Sequence, residues 1–113
     1  MNLSEIVDFL NLKIFSAKEN LGREVKGVYV SDLLSDVLGN AKDSQIWITL
    51  QSHKNIVALA CLKGLACVVL VKGILPNEDT ILKAEEEGIV ILGTEKETFD
   101  IAGELYELLK RKV

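Results

Sequence analysis

The apolar positions along the chain follow two periods, and their alternation predicts the architecture. Residues 45–50 (QIWITL) are β-branched and aromatic and read as a strand. Residues 25–30 alternate, with Val28 and Val30 on one face and Tyr29 on the other. Residues 66–71 (ACVVLV) and 89–92 (IVIL) are continuously apolar, the pattern of strands buried on both faces in a parallel sheet covered by helices. Between these runs the period lengthens. Ser31 and Asp32 precede a stripe of Leu33, Leu34, Val37 and Leu38 and read as its cap, with Gly39-Asn40 as its end. Helices are predicted over 53–63 and 77–87, each stopped by a glycine, Gly64 and Gly88, where a helix turns left-handed. Pro76 suits the start of the second.

The chain's ends follow the same logic. Ser4 reads as the cap of a short amphipathic helix over 5–10. Residues 12–15 are a short extended candidate, and 17–23 a loop or one helical turn. The last helix, 97–111, carries the stripe Phe99, Ile101, Ala102, Leu105, Leu108 and Leu109. Alternating strands and helices predict one α/β domain over 1–113, a three-layer α/β/α fold with a mostly parallel sheet of four to five strands. Two helices differ. Residues 55–62 are apolar nearly all round, which calls for packing on more than one side and points to a partner chain. Residues 78–87 place Lys83 and Glu85-Glu86-Glu87 outward and Ile81, Leu82 and Ala84 inward, as an ordinary surface helix does.

Composition narrows the class. At 113 residues and 49% hydrophobic, the chain suits a single cored domain. The longest apolar run, 56–71, is broken by Lys63 and Gly64 and is too short for a bilayer. Glu5 and Asp8 stand where a signal peptide carries positive charge, so a cytoplasmic protein is expected. Net charge is -4 and the basic residues are scattered, which speaks against nucleic acid. The dense run Lys110-Arg111-Lys112 reads as favourable charge at a helix C-terminus. Cys61 and Cys67 sit in apolar surroundings and read as small buried hydrophobes. Two thiols and one histidine leave no iron–sulfur or zinc set, and no cofactor or metal is expected.

Candidate chemistry comes from the fold. Ligands of open α/β sheets bind beyond the carboxyl ends of parallel strands. The residues that follow the four strands are Ser31 and Asp32; Gln51, Ser52 and His53; Lys72 and Gly73; and Thr94. They offer hydroxyls, a carboxylate, an imidazole and an ammonium near helix N-termini that favour an anion. Each has a plainer reading beside the ligand one: Ser52 as a helix cap, Ser31-Asp32 as cap and first-turn charge, His53 and Lys72 as solvated ends, Gly73 as a turn residue. Residues 22–27 (GREVKG) have the glycine spacing of a phosphate loop, but Val28 stands where its lysine belongs. No nucleophile elbow appears, and no catalytic residue is assigned.

Residues 27–38 (GVYVSDLLSDVL), 45–73 (QIWITLQSHKNIVALACLKGLACVVLVKG) and 76–108 (PNEDTILKAEEEGIVILGTEKETFDIAGELYEL) together resemble a DRTGG domain. That domain is similar to the N-terminal domain of HPr kinase/phosphorylase and to the regulatory insert beside CBS domains in some pyrophosphatases. The family's naming stretch falls at residues 52–55, where this chain has Ser-His-Lys-Asn and lacks both the Asp and the Arg. The resemblance implies a non-catalytic regulatory or sensor domain that pairs with its own kind. It also implies nucleotide-binding modules nearby, or an accessory role beside a hydrogenase-like iron–sulfur protein or a histidine-kinase-type ATPase. The expectation is therefore a homodimer that binds a nucleotide or other small anion at the strand-end rim. A protein-interaction module is the alternative, and a small enzyme stands behind both.

Overall fold

In the computed structural model, which describes residues 1–111, helices and strands alternate after an N-terminal α1 (Leu3–Leu10) and β1 (Lys13–Ser16). A 3-10 turn (Lys18–Asn20) leads to β2 (Gly27–Val30), α2 (Leu34–Asn40), β3 (Gln45–Thr49), α3 (Asn55–Lys63), β4 (Cys67–Leu70), α4 (Glu78–Glu87), β5 (Ile91–Gly93) and α5 (Thr98–Arg111). Lys112, the last of the basic run, lies outside the described residues.

The sheet has the order β1-β5-β4-β3-β2. The four strands β2 to β5 run parallel, and β1 joins β5 antiparallel. Side chains alternate across the pleat, so each strand serves two cores. Ile46, Ile48, Cys67, Val69 and Leu92 pack with Leu3 and Ile6 of α1 and Ile101 and Leu105 of α5. Trp47, Val68, Leu70 and Ile91 pack with Val37 of α2, Ile56, Val57 and Ala60 of α3, and Ala84 of α4. These are the three layers that the continuously apolar strands require. Val28 joins the first core and Tyr29 the second, as their alternation predicts.

The glycine stops hold. Gly64 and Gly88 end α3 and α4 in the left-handed region, at φ of 65° and 70°. At Gly64 a Cβ would also meet the Asp43 carboxylate, an exposed side chain that would swing aside, so the left-handed backbone is what calls for glycine there.

Several local expectations are corrected. Ser4 does not cap α1; Asn2 does, accepting the Glu5 N–H at 3.0 Å while the Glu5 carboxylate accepts the Asn2 N–H at 3.0 Å. That reciprocal box satisfies two donors where a serine cap satisfies one. Cys61 is exposed, its Sγ 3.7 Å from Glu87 Oε1, because it lies on the solvent side of α3; Cys67 is buried. Leu82 is exposed, since the inner stripe of α4 is Thr80 and Ala84, one turn apart. Glu85 is not merely solvated: its carboxylate accepts the Ala17 N–H just after β1.

Candidate functional site

Parallel β2 to β5 put their carboxyl ends on one rim of the molecule. All eight candidate residues follow those strands, yet they form three groups rather than one pocket.

At the β2–β3 end, Asp32 turns toward the end of β3 instead of capping α2. Its Oδ1 accepts the Thr49 hydroxyl at 2.9 Å and the Leu50 N–H at 2.7 Å. Gln51 Nε2 donates to the Asp32 carbonyl at 2.8 Å. The Ser31 carbonyl accepts Trp47 Nε1 at 2.8 Å, and the Ser31 hydroxyl accepts the Leu33 N–H at 3.2 Å. Helix α2 begins one residue later than read, with no side-chain cap. Beside this knot, Asp36 accepts the Tyr29 hydroxyl at 2.8 Å. The Ser31 and Tyr29 hydroxyls hold the Asp36 carboxyl below the ordinary carboxylate range. Hydrogen bonding to Asp36, then burial, holds the Tyr29 phenol above its own range.

In the centre, Ser52 is not the cap of α3, which starts at Asn55 after an uncapped Lys54. The Ser52 carbonyl instead accepts the Asn77 N–H at 3.2 Å and the Thr80 hydroxyl at 2.8 Å, tying the loop after β3 to the start of α4. His53 is exposed, with Nδ1 2.9 Å from Asn77 Nδ2.

At the β4–β5 end, Lys72 and Gly73 both take positive φ, 58° and 71°. The turn is stitched to the loop after β5: Lys72 N–H donates to the Lys96 carbonyl and Gly73 N–H to the Thr94 carbonyl, each at 2.9 Å. The Glu95 carboxylate lies over Gly73, 2.9 Å from where a Cβ would stand. Lys72 reaches Glu97 at 3.7 Å.

The connections explain why a cleft opens here. Strands β2, β3 and β4 lead into helices on one face, and β5 leads into α5 on the other. Adjacent strands whose connections part to opposite faces leave a crevice outside their carboxyl ends. That crevice has a volume of about 400 Å³ and is lined by Gly73 and Thr94 among the eight candidates. It is also lined by Asn11, Lys13, Phe15, Glu95 and Lys96, which sequence reasoning missed. Lys96 Nζ pairs with Glu104 at 2.6 Å, and Lys13 Nζ stands 5.3 Å from the Phe15 ring. Asn11 and Lys13 reach the rim because β1 is antiparallel, so its start lies beside the end of β5. Among the described residues, no three His, Cys, Asp or Glu side chains are grouped to hold a metal ion.

A family model described as the DRTGG domain matches residues 5–108, nearly the whole chain. The chain belongs to the DRTGG domain family. No curated protein matches this DRTGG domain in sequence. A solved structure has the same fold: the CBS and DRTGG domains of the regulatory region of Clostridium perfringens pyrophosphatase, complexed with its activator, diadenosine tetraphosphate. The likeness has a TM-score of 0.70 at 19% identity, covering 92% of this chain and 45% of that one. This chain thus covers less than half the length of the solved structure it matches. Among the described residues, no helix is long and apolar enough to cross a membrane.

Proposed function

We propose that this chain is a non-catalytic regulatory domain that works as a homodimer and binds a small anionic ligand, a nucleotide, at the carboxyl-end rim of its sheet. The observation that carries the ligand reading is the crevice where the connections of β4 and β5 part, with Lys13, Lys96 and one carboxylate, Glu95, on its border. Its size falls in the range of small-molecule sites, roughly 300–1,000 Å³. The nucleotide activator in the pyrophosphatase regulatory region supports the ligand class. The non-catalytic reading rests on how the rim spends its polar groups. One oxygen of the Asp32 carboxylate, Oδ1, accepts from both Thr49 and Leu50, and His53 Nδ1 is turned to Asn77. A nucleophile paired with an oriented base, the minimum for covalent chemistry, does not emerge from this arrangement.

The dimer reading rests on α3. Its inner side is buried, while Leu62 in its last turn is 73% exposed, with Ala58 and Cys61 also open. A second copy laid on this face covers the helix that is apolar nearly all round.

Thermal shift with diadenosine tetraphosphate, adenine and uridine nucleotides tests the ligand. A ligand at a hundredfold over its Kd adds about 2.7 kcal/mol, or a shift of roughly 10 °C for a domain of this size. No shift with any of them removes the ligand reading. Sedimentation of the wild type and Leu62→Glu tests the dimer: the wild type sediments as two copies and the variant as one. A wild-type monomer at micromolar concentration removes that reading.

A further inference from the structure

We infer that the groove between α1 and α5, on the face opposite α3, is a docking surface for a basic amphipathic helix of a partner protein. The chain has only three Phe, two Tyr and one Trp. Trp47 is fully buried, and Phe15 and Tyr29 pack against the second core. The other three gather in this groove and stay exposed: Phe99 at 86%, Phe9 at 64% and Tyr106 at 62%. A scattered exposed apolar residue is ordinary, but three aromatic rings in one groove are the composition of an interface anchor.

The shape favours a helix. The groove is open, about 670 Å³ in volume, and bordered by two helices. Along α5, Phe99, Gly103 and Tyr106 succeed one another at i, i+4 and i+7, one stripe of a helix. Gly103 is exposed, and a Cβ there would meet nothing within 4 Å. Nothing inside the molecule calls for glycine at that position, and glycine is the poorest helix former after proline. Its use lies outside the molecule, where a bare stretch of backbone lets a second helix approach closely.

The charge selects the partner. The ionisable residues lining the groove beside the rings are Asp100, Glu104 and Glu107, all acidic. Lys96 holds Glu104 from the rim side, and the Lys110 ammonium stands 5.4 Å from the Tyr106 ring. A second copy of this chain laid in the groove would bring acidic linings together, and an anionic membrane would be repelled in the same way. A helix with apolar residues at matching spacing and Lys or Arg at its flanks meets both the rings and the carboxylates, and its ammonium or guanidinium groups suit the exposed face of Phe99.

The test is selection from a displayed library of helical peptides of about 20 residues, a length that spans a domain of this size. Panning uses the whole chain, with counter-selection on Phe99→Ser/Tyr106→Ser. Enriched peptides are expected to be net positive, with apolar residues at i, i+4 and i+7, to lose about tenfold or more in affinity to Phe99→Ser, and to weaken with added salt. Gly103→Ala keeps the fold and raises Tm by roughly 4 °C, yet weakens binding of the same peptides, a loss that a merely structural glycine would not cause. No enrichment, enriched peptides without positive charge, binders that tolerate the double variant, or wild-type self-association abolished by Phe99→Ser would each overturn the inference.

Discussion

Ser16→Ala tests how the crevice is built. Strand β1 pairs with β5 through Lys13–Gly93 and Ile14–Leu92, and then its register shifts before Ser16. At that irregularity the Ser16 hydroxyl takes over the pairing, donating to the Ile89 carbonyl at 2.8 Å and accepting the Ile91 N–H at 2.9 Å. Both bonds are buried, and Ser16 itself is 4% exposed. Alanine removes the hydroxyl and leaves two backbone groups without a partner in a place that water does not reach. A neutral hydrogen bond nets about 1 kcal/mol, and each buried polar group left unpaired costs about 1–3 kcal/mol. For the two groups the expected loss is therefore about 2–6 kcal/mol, a large part of the 5–15 kcal/mol typical of a domain. Urea unfolding should show a lower midpoint with an unchanged slope, and hydrogen exchange should show faster exchange at the Ile91 amide. Because Ser16 fixes the strand that carries Lys13 and Phe15 to the crevice, nucleotide-induced stabilisation should fall as well. A loss under about 0.5 kcal/mol, the ordinary surface level, or an Ile91 amide with wild-type protection would show that β1 is held by its core contacts alone.

Further expectations follow from single contacts. Gly93→Ala places a Cβ 2.4 Å from the Phe15 ring, so the ring must move; a Tm fall equivalent to about 1–3 kcal/mol is expected. Trp47→Phe removes the indole bond to the Ser31 carbonyl and should cost about 1–3 kcal/mol in urea unfolding. In a spectrophotometric titration Tyr29 should ionise above its ordinary range and return toward it in Asp36→Asn. The raised phenol contributes stability that is complete below its unfolded value and lost as pH rises through its folded one. The lowered Asp36 contributes stability present above the unfolded carboxylate value and lost as pH falls through its folded one. A thiol reagent should label Cys61 in the native state and spare Cys67, whose thiol is pushed far up by burial.

The fold was legible because its signals were redundant. Strands buried on both faces need apolar residues at every position, so 66–71 and 89–92 announce a covered parallel sheet without any pairing information. Glycine stops after two successive helices mark two units of the same kind. Helix starts were harder to read. A serine before a helix is a good cap in isolation, but Ser31, Ser52 and Ser4 are each outcompeted. Asp32 finds two donors at the end of β3, Ser52 lends its carbonyl to α4, and Asn2 forms a reciprocal box with Glu5. These choices depend on neighbours far along the chain, which local capping rules do not see.

The candidate site was half legible for a related reason. Parallel strands alone place Ser31, Gln51, Lys72 and Thr94 on one rim. Which part of that rim opens depends on where the connections change face, and that change occurs only between β4 and β5. The direction of β1 decides the rest: running antiparallel, it brings its first residues, not its last, to the opening. A four-residue strand with one charged and one small polar end carries no sign of its direction in its own sequence, so Lys13 and Asn11 stay hidden until the pairing is seen. The consequence is physical: the crevice has one wall from the Lys72–Gly73 and Thr94 turns, and one wall from a strand whose end, past its register shift, is pinned by the buried Ser16 hydroxyl. Anything bound between those walls has its affinity tied to Ser16 as well as to the lysines it touches.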